Sequence, residues 1–146
     1  MADLDTSITQ ILERYKAAVR ARDVEALMRL YDPKARVFDA WGVWAYEGAD
    51  AWRTAIEGWF RAIVDEKTQV SFDEVQSLGS ADFATVSAIV TYAATSMSDE
   101  PLRSMQNRIS WVLKTSGHVL RIVHEHTSAP IGFEDQKAIL QRAPGR

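Results

Sequence analysis

One change of hydrophobic period divides this chain and limits what it can fold into. Up to Ile63 the apolar residues return mainly at helical spacing, whereas from Lys67 onward they alternate, with Val, Thr, Phe and Tyr enriched as strands require. Leu4, Ile8, Ile11, Leu12, Tyr15 and Val19 share one face of the first stretch and Gln10, Glu13, Arg14, Lys16 and Arg20 the other, which predicts a long amphipathic helix. Asp23 is placed to cap a second, short helix carrying Val24, Leu27, Met28 and Tyr31, stopped by Asp32-Pro33. Ala35 to Asp39 and Val43 to Tyr46 read as short strands around Ala40-Trp41-Gly42. Gly48-Ala49-Asp50 then opens a third helix with the stripe Trp52, Ile56, Trp59, Phe60 and Ile63. Four strands follow, near 67 to 78, 82 to 96, 102 to 115 and 118 to 128, the last two joined by Thr115-Ser116-Gly117, a connector short enough for a hairpin.

Helices first and long strands afterwards predict an α+β domain, with three N-terminal helices packed on a strongly curved, mainly antiparallel sheet. A long helix laid across such a sheet makes a cone with an open mouth, the natural place for a pocket. Residues 1–130 would form this single domain. Residues 131–146 would be a C-terminal extension, partly helical between Phe133 and Leu140 and frayed at Ala143-Pro144-Gly145-Arg146.

Charge and composition narrow the function classes. A formal net charge of -3, with basic residues scattered along the chain, gives no field to hold a polyanion, so nucleic acid is not an expected partner. The chain has no cysteine, which removes disulfides, thiolate nucleophiles and zinc-thiolate sites. The polar, acidic opening Met1-Ala2-Asp3-Leu4-Asp5 has no apolar signal core, and no later apolar run is long enough to span a bilayer. The expectation is a cytoplasmic protein without a membrane partner. Five tryptophans supply the wide apolar walls that small-molecule pockets use, or an ordinary core.

Two of the three histidines, His124 and His126, stand at alternate positions in the last apolar run. Strict alternation puts both on the face of Leu120 and Ile122, the face expected to be buried. They are therefore either pocket residues or a hydrogen-bonded structural pair. A metal site would need a third ligand, for which only Asp39 or Asn107 is available, and no metal is assigned. On the preceding strand alternation puts Met105, Asn107, Ile109, Trp111 and Leu113 inward. Arg121, Glu125 and Arg108 then point outward, with Val112, Val119 and Val123 on a face that suits a dimer contact.

A family resemblance runs through several of these segments. Arg14-Tyr15-Lys16-Ala17-Ala18-Val19, Asp23, Leu30-Tyr31-Asp32-Pro33-Lys34-Ala35, Val37-Phe38-Asp39 and Glu47-Gly48 resemble, in order and spacing, the NTF2-like superfamily. The likeness is to its ketosteroid isomerase and SnoaL-like polyketide cyclase branches in particular. The ending Ile122-Val123-His124-Glu125-His126-Thr127-Ser128-Ala129-Pro130 is similar to SnoaL-like proteins of unassigned function and to the calmodulin-dependent kinase association domain.

The resemblance implies the NTF2-like cone and commonly a homodimer through the outer sheet face. In ketosteroid isomerase an Asp base works with a Tyr and a protonated Asp that hold the enolate oxygen. The likeness puts Tyr15 at the oxyanion-binding tyrosine and Asp39 at the general base. At the position of the protonated acid this chain has Ile109, which cannot donate a hydrogen bond, while Asn107 nearby carries an amide donor.

The expected catalytic residues are thus Tyr15 and Asp39, with His124 or His126 as the runner-up base. Tyr31, Trp41, Trp44, Trp59, Asn107 and Trp111 are expected to line a pocket for a small, apolar organic ligand. Proton abstraction next to a carbonyl needs no cofactor, and isomerases, cyclases and dehydratases share it. The competing reading is a non-catalytic ligand-binding or oligomerisation module. Each candidate also has a plain structural role: Tyr15 as core, Asp39 as a turn cap, the histidines as hydrogen-bonded supports.

Overall fold

The computed structural model describes residues 3–143 of the chain. Helix α1 (Leu4–Ala21) is capped by the Asp3 side chain, which accepts from the Thr6 N–H, and it ends at Arg22 in the left-handed region. Helix α2 (Val24–Met28) is capped by Asp23, which accepts from Ala26 N–H. Strands β1 (Tyr31–Phe38) and β2 (Tyr46–Glu47) precede helix α3 (Ala49–Ala62), and four long strands complete the fold: β3 (Glu66–Gly79), β4 (Phe83–Ser96), β5 (Pro101–Ser116) and β6 (Val119–Ser128).

The six strands form one curved sheet in the order β2-β1-β6-β5-β4-β3. Every pairing is antiparallel except β1 with β6, which is parallel. Gly117 and His118, both with positive φ, form the two-residue turn between β5 and β6. The stripes Ile8, Ile11, Leu12, Tyr15 and Val19 of α1 and Trp52, Ile56 and Phe60 of α3 are buried. They pack over the inner sheet residues Val37, Val70, Val86, Val90, Ile109, Trp111, Leu113 and Ile122 to make one core. No helix among the described residues is long and apolar enough to cross a membrane.

Three local expectations are corrected. The second helix does not reach Tyr31, because the Leu30 carbonyl accepts from Ile122 N–H at 2.8 Å and Tyr31 opens β1 instead. Strand pairing there satisfies backbone groups that another helical turn would have left inside the core. The expected strand from Val43 to Tyr46 shrinks to Tyr46–Glu47, and the residues before it form a loop in which Trp44 is 96% exposed.

The segment from Phe133 to Leu140 is not helical. Ile131 bridges Ala138 antiparallel, and Gln106 N–H donates to the Leu140 carbonyl at 2.7 Å. The reason lies in the sheet: β6 ends at Ser128 opposite Arg108, so the first half of β5 has a free edge. The tail fills it, with Arg142 N–H donating to Gln106 Oε1 at 2.8 Å. Of the frayed end expected at 143–146, residues 144–146 lie outside the described residues.

Candidate functional site

Between α1, α3 and the concave sheet face lies a cavity of about 540 Å³. Its walls are mostly aromatic and aliphatic: Tyr15, Trp41, Trp52, Trp59, Ile63, Tyr92 and Leu140. Polar groups enter at few points, through Asp39, Thr68, Asn107, Glu125 and Thr127, while Arg103 and Ser104 stand at the exposed end. A largely apolar concavity of this size with few convergent polar groups is the usual form of a small-molecule site.

Each polar group has a local cause. On β1 the alternation Ala35, Val37, Asp39 continues the buried face one residue past the strand, which turns the Asp39 carboxyl inward. Thr127 Oγ1 donates to Asp39 Oδ1 at 2.9 Å and accepts from Ala40 N–H at 2.8 Å. Burial pushes the Asp39 carboxyl above its ordinary value, against the hydrogen bonds from Thr127 and the Trp41 backbone. Tyr15 and Tyr92 share a hydroxyl–hydroxyl hydrogen bond of 2.8 Å. One of the two protons closes that bond, which leaves the other hydroxyl free to donate to a ligand. Burial holds both phenols well above their ordinary pKa, so they act as neutral donors.

Glu125 is the unexpected member. It is 2% exposed, and Oε1 accepts from Tyr31 Oη–H at 2.5 Å and from Trp111 Nε1–H at 2.9 Å. Burial raises its pKa to about 7, opposed by those two donors. Asn107 and Trp52 hold unspent polar atoms: Asn107 Oδ1 and Trp52 Nε1 are buried without a hydrogen-bond partner among the described residues.

The expected site residues therefore divide. Tyr15, Asp39, Trp41, Trp59 and Asn107 meet at the cavity. Tyr31 and Trp111 stand behind it, holding Glu125. Trp44 points into solvent. His124 and His126 are on the opposite side of the sheet, which corrects their expected placement. There Phe38 packs edge-on against both imidazoles, at ring distances of 5.0 and 5.5 Å, and His124 Nδ1 bonds the Arg36 carbonyl at 2.8 Å.

A β-bulge causes the reversal. Leu113 pairs with Ile122 but the next residue, Val112, pairs with His124, so Val123 is an extra residue in β6. Ile122, Glu125 and Thr127 are buried as a result, and the same shift makes Glu125 an inner residue rather than an outer one. Sequence reading also missed Tyr92 and Thr127. Tyr92 follows the alternation Val86, Ala88, Val90 on β4 and was recoverable from it, whereas nothing in the residue order marks the bulge.

Among the described residues no group of three or more His, Asp and Glu side chains is placed to hold a metal ion.

Solved structures that share this fold include three from bacteria. An NTF2-like protein of unknown function from Pseudomonas putida is 24% identical, with 95% of each chain covered and a TM-score of 0.83. A nuclear transport factor 2-like superfamily protein from Salmonella enterica is 17% identical, covering 92% of this chain and 96% of that one, with a TM-score of 0.73. A putative calcium/calmodulin-dependent protein kinase II association domain from Xanthomonas campestris is 15% identical, covering 88% and 89%, with a TM-score of 0.74. At these identities the likeness is one of fold. No curated protein matches the chain at a significant level. The SnoaL-like domain model matches residues 8–132, from the first turns of α1 to just beyond β6, and the chain belongs to that family within the NTF2-like superfamily.

Proposed function

We propose that this protein binds a small, largely apolar carbonyl compound in its cone and catalyses cofactor-independent proton abstraction next to the carbonyl. The carrying observation is that the Asp39 carboxyl and the Tyr15–Tyr92 hydroxyl pair line one largely apolar cavity. Asp39 takes the proton. Its raised pKa brings it nearer the range in which a carboxylate is an effective base at neutral pH. The carbonyl oxygen lies against the tyrosine pair, whose spare O–H donates where negative charge develops.

The test compares wild type with Asp39→Asn on α-tetralone, a bicyclic ketone small enough for the cavity. Thermal shift reports binding, and deuterium uptake at the carbon next to the carbonyl reports abstraction. Binding by both variants with uptake by wild type alone is the expected result. Absence of binding, or equal uptake by both, overturns the reading.

A second reading concerns assembly. Phe38, His124 and His126 form an aromatic cluster on the outer sheet face, beside Arg36 stacked 4.5 Å over the Phe38 ring. This supports a homodimer through that face, with or without catalysis. Sedimentation of wild type and Phe38→Asp checks it, the variant being expected to sediment as monomer.

A further inference from the structure

His124 and His126 take no part in the cavity, yet they stand together on the outer face with ring centres 6.3 Å apart. Glu125 between them is buried on the inner face, so the two imidazoles share one side of β6. His124 Nδ1 bonds the Arg36 carbonyl at 2.8 Å. A carbonyl only accepts, so Nδ1 carries the ring proton and Nε2 is left with a lone pair to offer. A bond of this kind, from the far nitrogen to a backbone carbonyl, is what fixes the tautomer of a metal-ligating imidazole.

The remaining geometry fits a shared ion. Two imidazoles whose Nε2 atoms each stand about 2 Å from one tetrahedral ion have ring centres about 5 Å apart. His126 is exposed and has solvent to turn into, so a rotation of its ring closes the difference. Phe38 lies edge-on to both rings and supports the pair. The nearest cation is already compensated, since Arg36 stacks 4.5 Å over Phe38 and pairs with Glu47 at 2.8 Å. On the neighbouring strand Arg108 Nε donates to Ser128 Oγ at 3.0 Å.

One chain supplies two nitrogens, whereas zinc in a structural site takes four ligands. Asp39 and Asn107 line the cavity on the other side of the sheet and cannot reach the pair. Among the described residues no third His, Asp or Glu side chain completes the set. A twofold contact is isologous, so residues at its axis meet the same residues of the second copy. A second pair of imidazoles brings the count to four.

We infer that the outer face of β6 carries half of a zinc-class metal site, and that one ion held by His124 and His126 of two copies joins the copies face to face. This rests on the reading of that face as a homodimer contact and adds the ion on which assembly depends. An all-nitrogen set selects zinc and its neighbours among transition metals, while magnesium, which prefers oxygen ligands, gives no such link.

The experiment uses the full chain freed of metal by EDTA and dialysis, then titrated with zinc chloride. Calorimetry is expected to give one ion per two chains. Sedimentation is expected to show dimer at a protein concentration at least tenfold lower with zinc than with EDTA, and no such shift with magnesium. His126→Asn, whose changed side chain is exposed, should fold as wild type and lose at least tenfold in zinc affinity together with the shift. His124→Asn should do the same. Cobalt(II) in place of zinc should give the intense visible absorption of a tetrahedral ion.

Failure of wild type to take up zinc, uptake without a change in association, or uptake unchanged in both histidine variants overturns the inference. Wild type that dimerises equally with EDTA and with zinc overturns the role of the ion and leaves the outer-face dimer to stand on the Phe38→Asp result. Wild type that stays monomeric under both conditions overturns that dimer, and the inference with it.

Discussion

Trp111 on β5 and Glu125 on β6 are paired residues that both turn inward, and the indole N–H of the first donates to the carboxyl Oε1 of the second at 2.9 Å. With the Tyr31 hydroxyl on the same oxygen, this contact holds an ionisable group in the core. An unpaired carboxyl at that depth would cost several kcal/mol, so the two donors explain how Glu125 is tolerated.

Stability should fall as pH rises from about 4.5 toward about 7. The Glu125 pKa goes from an ordinary 4.5 to about 7 in the folded protein, so the folded state binds more protons between those values. The contribution is complete below the ordinary value and lost as pH passes the raised one, a change of about 3 kcal/mol. Urea unfolding at pH 5.5 and pH 8, an interval that contains about 2 kcal/mol of the change, checks it. Glu125→Gln should flatten most of the slope, leaving the smaller part of the same sign that comes from Asp39.

Asp39→Asn should abolish proton abstraction by a factor of about a hundred to ten thousand while leaving ligand affinity within a few-fold. The amide retains an oxygen to accept from Thr127, so the fold should be undisturbed. Deuterium exchange and calorimetric binding measured on one preparation decide the point.

Tyr15→Phe leaves the Tyr92 hydroxyl without its 2.8 Å partner at a buried position. A loss of about 1 kcal/mol in stability is expected, along with a rate decrease of about a hundredfold if the pair holds the enolate oxygen. Tyr92→Phe should behave alike, and the double variant should cost little more than either single one. Additive losses would count against a shared role.

Asn107→Leu should be close to neutral in melting temperature, because Asn107 Oδ1 has no partner to lose. Affinity for an oxygenated ligand should nonetheless fall about tenfold, an effect seen by titration calorimetry. A large loss of stability would mean that the carboxamide is structural.

His124→Asn and His126→Asn should leave proton exchange unchanged, since both imidazoles lie on the outer face with Phe38. The first removes the 2.8 Å bond to the Arg36 carbonyl, which ties β6 to β1, and should lower stability by about 1 kcal/mol.

The alternation of Asn107, Ile109, Trp111 and Leu113 predicted the inner face of β5 correctly, because that strand runs regularly along its inner half. The helical stripes of α1 and α3, the cap at Asp23 and the limits of the four long strands were legible for the same reason. Each rests on a periodicity or a cap that acts within a few residues.

What the residue order left open is decided by pairing between distant segments. Only the register of β6 against β5 makes Val123 an extra residue, and that one bulge exchanges the faces of His124 and Glu125. Likewise only the free edge of β5 draws the tail out of a helix and lays Leu140 on the cavity. Hydrophobic period, caps and turn residues are local energies written along the chain, so the sequence by itself determined the two long helices, the four long strands and the α+β class. Register and edge satisfaction depend on the partner strand, so the tertiary structure decided which titratable groups face the pocket.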